Sequence, residues 1–305
     1  LANSHFNLGR ILIDLGKLKE AELSTRKAIE LDPGLADAHY SLGSILIDLG
    51  KLKDAEVYTR KAIELNPGFP KAFNALGKLF LQQGELDLSL KYFSESAYLL
   101  RGPKNQKSNH LRIKNLNQSK IKHDIEQFEY LVSQGYETKK FSDLAILYKK
   151  VASEINWPSE TKFIVLSNEY ETLLKDSYNR LLHVPKAPKV QGEVINSSLN
   201  IEKITKNYFN NEFELTYIDN FLSPKALDYL RKFLLESTIW FDVKEPGWIG
   251  AYLGEGLANP VIIQIAGELR KKFPKIFKDH AIKQIWAYKY DSRSKEEGSS
   301  LSGIH

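Results

Sequence analysis

The sequence predicts a multidomain protein with three parts: an all-α solenoid at residues 1–102, a helical connector at residues 103–211, and an incomplete α+β domain at residues 212–305. Three observations support this division. The first part repeats itself at an interval of 34 residues, which is typical of helical-repeat arrays. The second part keeps the apolar spacing of helices without the repeat, and the third changes to the alternating pattern of strands.

The repeat is visible when the chain is aligned with itself at a shift of 34 residues. Leu8, Leu42 and Leu76 then coincide, and apolar residues around them follow helical spacing. Each repeat is therefore predicted to form two antiparallel helices, with a glycine ending the first. Small residues let the two helices approach closely. The second copy repeats, 34 residues later, the small residues and the closing proline of the first copy, which are Gly9, Gly16, Ala21, Ala28 and Pro33.

This pattern resembles the tetratricopeptide repeat, whose small-residue and proline positions the first two copies reproduce almost completely. The third copy departs from it, because Ser89 and Ser96 replace the alanines and Arg101 stands where the proline is expected. We expect such departures in a terminal repeat that caps a stack.

The resemblance implies that a partner protein or an extended peptide binds the concave face, which the first helix of each repeat lines. The residues predicted to line this face are mixed in charge and contain no Lys/Asn clamp for a C-terminal carboxylate, so the partner's identity is open. The alternative is that these are solvated residues of a short spacer. By position, the face consists of Phe6, Arg10, Asp14, Tyr40, Ser44, Asp48, Asn74, Lys78 and Gln82.

The connector is predicted to be a set of irregular helices, the longest from about residue 160 to residue 182. It ends in a linker near residues 183–192, which Pro185 and Pro188 stiffen. A stretch without acidic residues carries five basic ones. Nucleic-acid binding is still expected to be unlikely, because no aromatic residue there offers a base a stacking surface. The basic residues are Lys104, Lys107, Arg112, Lys114 and Lys120.

The last part alternates helix and strand signals. Phe213, Leu215 and Tyr217 alternate with polar residues and predict a strand. Helices are predicted after Ser223-Pro224 and after Asn259-Pro260, each an N-cap followed by proline at the first helical position. An aromatic strand follows, with Ile282, Gln284, Trp286, Tyr288 and Tyr290 on one face, and a Ser/Gly-rich loop then leads to His305.

The order of elements resembles the N-terminal half of the prolyl-hydroxylase-like dioxygenases, which use Fe(II) and 2-oxoglutarate. That order is a strand, the segment Asp-Asn-Phe-Leu-Ser-Pro, a helix, a strand, a helix, the aromatic strand, a loop and a histidine. The resemblance implies part of a double-stranded β-helix, or jelly roll. It also implies that His305 is the first metal ligand and that Tyr290, with Tyr288 as a weaker candidate, contacts the 2-oxo acid. The other ligands of that family would lie beyond His305. The fragment is therefore expected to be inactive and to bind neither cofactor, with residues 292–303 mobile.

Composition limits the remaining possibilities. The chain has no cysteine, which excludes disulfides, thiol nucleophiles and Cys-based metal sites. It has no apolar run near the ~18 residues of a membrane span, so no membrane insertion is expected. A cytoplasmic location is expected, although a removed signal peptide is left open because the sequence reads as part of a longer protein.

Two functional hypotheses follow. The first is a tetratricopeptide interaction module attached to an iron(II)- and 2-oxoglutarate-dependent hydroxylase that acts on a protein or peptide. The alternative is a non-catalytic adaptor that binds partner proteins through its repeats. An aspartate two residues after His305 would favour the enzyme.

Overall fold

The computed structural model describes residues 1–103, 115–159, 162–244, 248–277, 280 and 282–290. They are mostly helical. The helices are, in chain order, α1 (Ala2–Asp14), α2 (Leu18–Leu31), α3 (Ala36–Asp48), α4 (Leu52–Leu65), α5 (Pro70–Gln83), α6 (Leu86–Arg101), α7 (Gln118–Ser133), α8 (Thr138–Glu154), α9 (Asn168–Leu174), α10 (Ile201–Asn210), α11 (Pro224–Glu236), α12 (Pro260–Lys272) and α13 (Pro274–Phe277). The strands are β1 (Asn115–Asn117), β2 (Phe163–Val165), β3 (Asp242–Lys244), β4 (Trp248–Tyr252) and β5 (Trp286–Tyr290).

The chain divides into two compact units, each built from more than one stretch of sequence. The chain passes from the second unit to the first between Val184 and Pro185, which lie within the predicted linker near residues 183–192. The predicted boundary after residue 211 instead falls inside the first unit. The first unit comprises Leu1–Ser108, Pro185–Leu234 and Leu253–Ile285, and the second comprises Asn109–Val184, Leu235–Tyr252 and Trp286–His305.

The three predicted repeats of the first unit are each a pair of packed helices, α1 with α2, α3 with α4 and α5 with α6. The first helix of each pair is followed by a glycine with positive φ, at +73° for Gly16, +74° for Gly50 and +83° for Gly84. Such a backbone favours glycine, and it turns the chain directly into the second helix. The helix-pair prediction for residues 1–102 is therefore confirmed.

The small residues lie where paired helices approach most closely. Ala21, Ala28, Ala55 and Ala62 are fully buried. A Cβ added to Gly43 would lie 2.1 Å from the Thr59 hydroxyl oxygen, so only a residue without a side chain fits at this crossing.

Neighbouring repeats are also joined by equivalent polar contacts. The Arg26 guanidinium donates to the Tyr58 hydroxyl at 2.8 Å, and Arg60 makes the same bond to Tyr92 at 2.7 Å. The stack is thus held by apolar packing and by a periodic Arg–Tyr bond.

The third repeat is covered by a later part of the same chain. A short 3-10 helix at Leu253–Glu255 packs on α6, and α12 packs on both α5 and α6. The Ser96 hydroxyl donates to the Gly254 carbonyl at 3.0 Å, and the Arg101 guanidinium binds the Glu255 carboxylate at 2.5 Å. Two of the third repeat's departures from the repeat pattern therefore bind the segment that covers this end of the stack.

The second unit is built around the packed helices α7 and α8. Phe128, Phe141, Tyr148 and Tyr178 are among the residues at the centre of its core. Strands β1 and β2 form one antiparallel pair, and β3, β4 and β5 form a three-stranded antiparallel sheet in that order. Within the described residues these small sheets do not amount to the predicted half jelly roll.

Two local predictions are wrong. Residues 213–217 form no strand, and Phe213 is 80% and Tyr217 85% exposed. A strand needs a neighbour to pair its backbone groups, and no described strand lies beside this segment. The long helix predicted from about residue 160 to residue 182 is instead β2, the short helix α9 and turns. The helices predicted after Pro224 and Pro260 are confirmed as α11 and α12.

No membrane-crossing helix occurs in the described ranges, where every helix is too short or too polar for that role.

Candidate peptide-binding surface

The first helices of the three repeats contact one another in sequence, α1 with α3 and α3 with α5, and together they form the inner face of the stack. The predicted residues lie at every fourth position of these helices, so those of one helix share a side. Their position in the repeat predicts that this side is the concave one.

The part of the inner face on α5 contacts the chain's own later residues. A Cβ added to Gly254 would lie 2.6 Å from the Asn74 side-chain oxygen, so the Asn74 amide packs directly on the Gly254 backbone. The Arg270 guanidinium donates to the main-chain carbonyl of Gln82 at 2.6 Å. Asn74 and Gln82 therefore already have neighbours from the covering segment.

Lys78 lies between these two and is half-buried. Burial lowers the pKa of its ammonium group, while the Asp48 carboxylate partly offsets that shift and Lys283 adds to it. Lys283 also forms a 3.5 Å ion pair with Asp48. The covering segment thus extends as far as the end of α3.

The rest of the inner face, on α1 and the first part of α3, is more open. Arg10 and Asp14 are exposed, and Phe6, Tyr40 and Ser44 are half-buried. The Tyr40 ring packs against Phe69 with 5.2 Å between centroids. Phe69 lies just before α5 and was not among the predicted residues, although its aromatic side chain beside a proline was a signal for it. We define the open inner face as Phe6, Arg10, Asp14, Tyr40 and Ser44.

The predicted dioxygenase residues are only partly described. His305 and the loop at residues 292–303 lie outside the described residues. Tyr290 is paired through its backbone with Trp248, but its side chain is likewise outside them. Tyr288 pairs with Gly250 and packs against Trp248, with 4.3 Å between ring centroids.

Tyr288 belongs to an aromatic sheet face, formed by Trp248, Tyr252, Trp286 and Tyr288. Trp286 is 53% and Tyr288 37% exposed, whereas Ile249 and Ala251 on the opposite side of β4 are buried. The alternation predicted for the aromatic strand is therefore confirmed for these residues. The Tyr252 hydroxyl donates to the Asp242 carboxylate at 2.7 Å.

The opposite side of the same sheet faces a group of buried charges that sequence reasoning did not identify. The Lys289 ammonium lies 4.6 Å from the Trp240 ring centroid and donates to the Gln127 side-chain oxygen at 2.9 Å. Burial lowers the pKa of Lys289 to about 8. Burial likewise lowers the pKa of His123 to about 4, so the ring is neutral at pH 7.

Lys120 forms an ion pair with Asp124, one helical turn away on α7, and is only 3% exposed. This position removes it from the predicted basic stripe, whose other members, Lys104, Lys107, Arg112 and Lys114, lie outside the described residues. The i, i+4 spacing of a lysine and an aspartate was visible in the sequence, but it is also common on exposed helices.

Comparisons with known proteins agree with the fold of the first part. The helix pairs define a helical-repeat protein, and residues 2–35 and residues 36–69 each match a family model described as tetratricopeptide repeat. The chain therefore contains tetratricopeptide repeats. None of the curated proteins compared with the chain matches it significantly.

Several solved structures are similar to this chain over about the same length. The first tetratricopeptide domain of Spaghetti (RPAP3), bound to an HSP90 peptide, is 23% identical with a TM-score of 0.32, covering 32% of this chain and 78% of that one. The TPR2B-domain:pHsp70 complex of yeast Sti1 is 18% identical with a TM-score of 0.32 and the same coverage. Pseudomonas aeruginosa pilF is 25% identical with a TM-score of 0.30, covering 32% of this chain and 43% of that one.

Proposed function

We propose that the chain is a protein-interaction module that binds an extended peptide segment of a partner on the open inner face. The supporting observation is the contrast along the stack. The α5 part of the inner face contacts the chain's own residues, whereas Arg10 and Asp14 on α1 are exposed. Tyr40, backed by Phe69, supplies an aromatic side chain of the kind that often carries binding energy.

The test begins with a peptide selected from a random library displayed on phage, because the natural partner is unknown. Its affinity for the chain is then measured by fluorescence polarisation. Arg10→Ala combined with Tyr40→Ala is expected to weaken binding at least about tenfold, since a central aromatic or arginine contact is typically worth more than ~1 kcal/mol. Lys78→Ala is expected to weaken it less, because Lys78 lies near the covering segment.

Lys27→Ala combined with Val57→Ala is the matched control. Both residues are exposed on second helices, and they are not part of the inner face. Unchanged affinity in the Arg10/Tyr40 variant, together with a loss in the control, would place the binding site elsewhere on the molecule.

The second candidate is the hydroxylase of a longer parent protein. It is favoured by Tyr288, which lies partly exposed on the aromatic sheet face in the strand that leads towards His305. The described residues contain no group of three or more His, Asp or Glu side chains that could hold a metal ion.

This candidate is tested by measuring the release of carbon dioxide from 2-oxoglutarate with added iron(II). We expect no release above background from the 305-residue chain, and release from a parent polypeptide that includes the residues after His305. In that parent, Tyr288→Phe is expected to raise the KM for 2-oxoglutarate several-fold, while the exposed Tyr217→Phe leaves it unchanged. A parent without any turnover would leave the adaptor as the better hypothesis.

A further inference from the structure

The open inner face has aromatic side chains along one edge. Phe6 on α1 and Tyr40 on α3 occupy the same position in their repeats, and both are half-buried. Phe69 extends this edge, because its ring packs against Tyr40 with 5.2 Å between centroids. Aromatic rings that are still partly exposed can bury more apolar area when a ligand side chain covers them. We call these three residues the aromatic edge.

The other edge of the open inner face is acidic. Asp14 is the last residue of α1 and Asp48 is the last residue of α3, and both are exposed. Each lies two helical turns, or about 12 Å, beyond the aromatic residue of its own helix. We call these two aspartates the acidic edge. The two edges therefore run side by side along the stack.

An aspartate at the end of a helix is electrostatically unfavourable, because the C-terminus of a helix already carries a partial negative charge. A cation placed beside the carboxylate relieves this repulsion. The chain itself supplies one at Asp48, where the Lys283 ammonium forms an ion pair at 3.5 Å. One of the two positions on the acidic edge therefore already holds a basic side chain.

Asp14 occupies the equivalent position in the first repeat. It forms no ion pair among the residues that the structure describes. Lys17, the next basic residue along the chain, is paired with Glu20 at 3.7 Å instead. Asp14 thus presents a carboxylate and a helix end of the same sign to whatever binds there, and a lysine or arginine of a ligand would take the place that Lys283 takes at Asp48.

Arg10 and Ser44 lie between the two edges, each one helical turn after the aromatic residue and one turn before the aspartate. The guanidinium and the hydroxyl are hydrogen-bond donors, which an extended peptide needs for its main-chain carbonyl groups. Successive side chains of an extended chain point to opposite sides. A peptide whose main chain crosses Arg10 and Ser44 therefore directs alternate side chains towards the aromatic edge and the acidic edge.

We propose that the open inner face binds an extended peptide in which apolar residues alternate with lysine or arginine, with the apolar side chains on the aromatic edge and a basic side chain on Asp14. This inference rests on the proposed peptide-binding function and specifies the chemistry of its ligand. An acidic peptide would bring its carboxylates against Asp14 and the end of α1, where like charges repel.

The probe is a fluorescein-labelled synthetic peptide, Gly-Ser-Leu-Lys-Leu-Lys-Leu-Ser-Gly, compared with two companions that carry glutamine or glutamate in place of lysine. Fluorescence polarisation measures their affinities for the 305-residue chain. We expect the glutamine peptide to bind about threefold more weakly than the lysine peptide, as for the loss of one exposed ion pair, and the glutamate peptide at least about tenfold more weakly. Nonspecific attraction would favour the glutamate peptide instead, because the chain has a formal net charge of +5.

Three variants locate the charge preference. Asp14→Asn is expected to remove the advantage of the lysine peptide over the glutamine peptide, and Asp14→Lys to reverse the order so that the glutamate peptide binds best. Asp54→Asn is the matched control, because Asp54 is exposed on the second helix α4 and is not part of the inner face. It should leave the order of the three peptides unchanged.

Arg10→Ala combined with Tyr40→Ala separates this inference from the proposed function. If this variant weakens all three peptides while Asp14→Asn leaves their order unchanged, the peptide site stands and the preference for basic residues is overturned. Phage-selected peptides that bind through Arg10 and Tyr40 without an excess of lysine or arginine would overturn it too. If neither the three probes nor any library peptide binds the chain, the proposed function fails and this inference fails with it.

Discussion

Asp124→Ala is expected to lower the free energy of unfolding of the second compact unit by about 3–5 kcal/mol, because it removes the carboxylate that faces a buried ammonium group. Lys120 is 3% and Asp124 7% exposed. Burial raises the pKa of Asp124, but the Lys120 ammonium and the His123 ring lower it by more, so the carboxylate is charged. Urea unfolding followed by circular dichroism at pH 7 measures the effect.

Two variants separate the buried charge from a general sensitivity of α7. Lys120→Met combined with Asp124→Leu removes both charges and should recover most of the loss, since an apolar pair of similar volume often replaces a buried ion pair at little cost. Glu129→Ala, also on α7, breaks the exposed ion pair with Lys149 and should cost less than about 1 kcal/mol. Equal losses for Asp124→Ala and Glu129→Ala would refute the assignment.

Phe93→Ala is expected to destabilise the first compact unit by about 3–5 kcal/mol, the usual cost of removing a fully buried aromatic side chain. Phe93 is 0% exposed and lies across Gly77, where an added Cβ would be 2.7 Å from its ring. The equivalent residues in the first two repeats are Thr25 and Thr59. The phenylalanine therefore fills the helix crossing of the third repeat with a larger side chain.

Tyr98→Ala is the matched control for this variant, because Tyr98 lies on the same helix and is 52% exposed. It should lower the free energy of unfolding by less than about 1.5 kcal/mol, as expected for a half-exposed side chain. Thermal and urea unfolding of the two variants give the comparison. A loss for Tyr98→Ala as large as that for Phe93→Ala would show that Phe93 has no special place in the core.

The repeats were predictable because their signals are local. A glycine such as Gly16, Gly50 or Gly84 ends a helix through its own backbone conformation, and the neighbouring apolar spacing reports the buried side of the same helix. Asn259 is another local signal, because its side chain accepts hydrogen bonds from the backbone N–H groups of Val261 and Ile262 at the start of α12. Each of these features needs only residues a few positions away.

The predictions failed where the outcome depended on a distant neighbour. Phe213, Leu215 and Tyr217 have the alternation of a strand, yet a strand exists only when another segment pairs with its backbone. Trp286 and Tyr288 do form a strand, because β4 lies beside them. Two similar alternating patterns therefore had opposite outcomes. The cause was the presence or absence of a pairing strand, which lies outside each segment.

The candidate site shows the same division. Repeat position predicts that Phe6, Arg10, Asp14 and Tyr40 lie on one inner face. It could not show that Arg270 and Gly254 contact the α5 part of that face, because these residues are more than about 150 positions away in the chain. Nor could it identify Phe69 behind Tyr40 or the buried pair Lys120–Asp124.

The identity and number of the repeats, and the side of each helix that faces inward, follow from residues close together in the chain, since helix periodicity and glycine caps act within a few turns. Which part of the inner face stays open depends on where the 3-10 helix at Leu253–Glu255 and helix α12 pack. That placement results from contacts such as Arg101–Glu255 and Ser96–Gly254, which join parts of the chain that no local pattern connects.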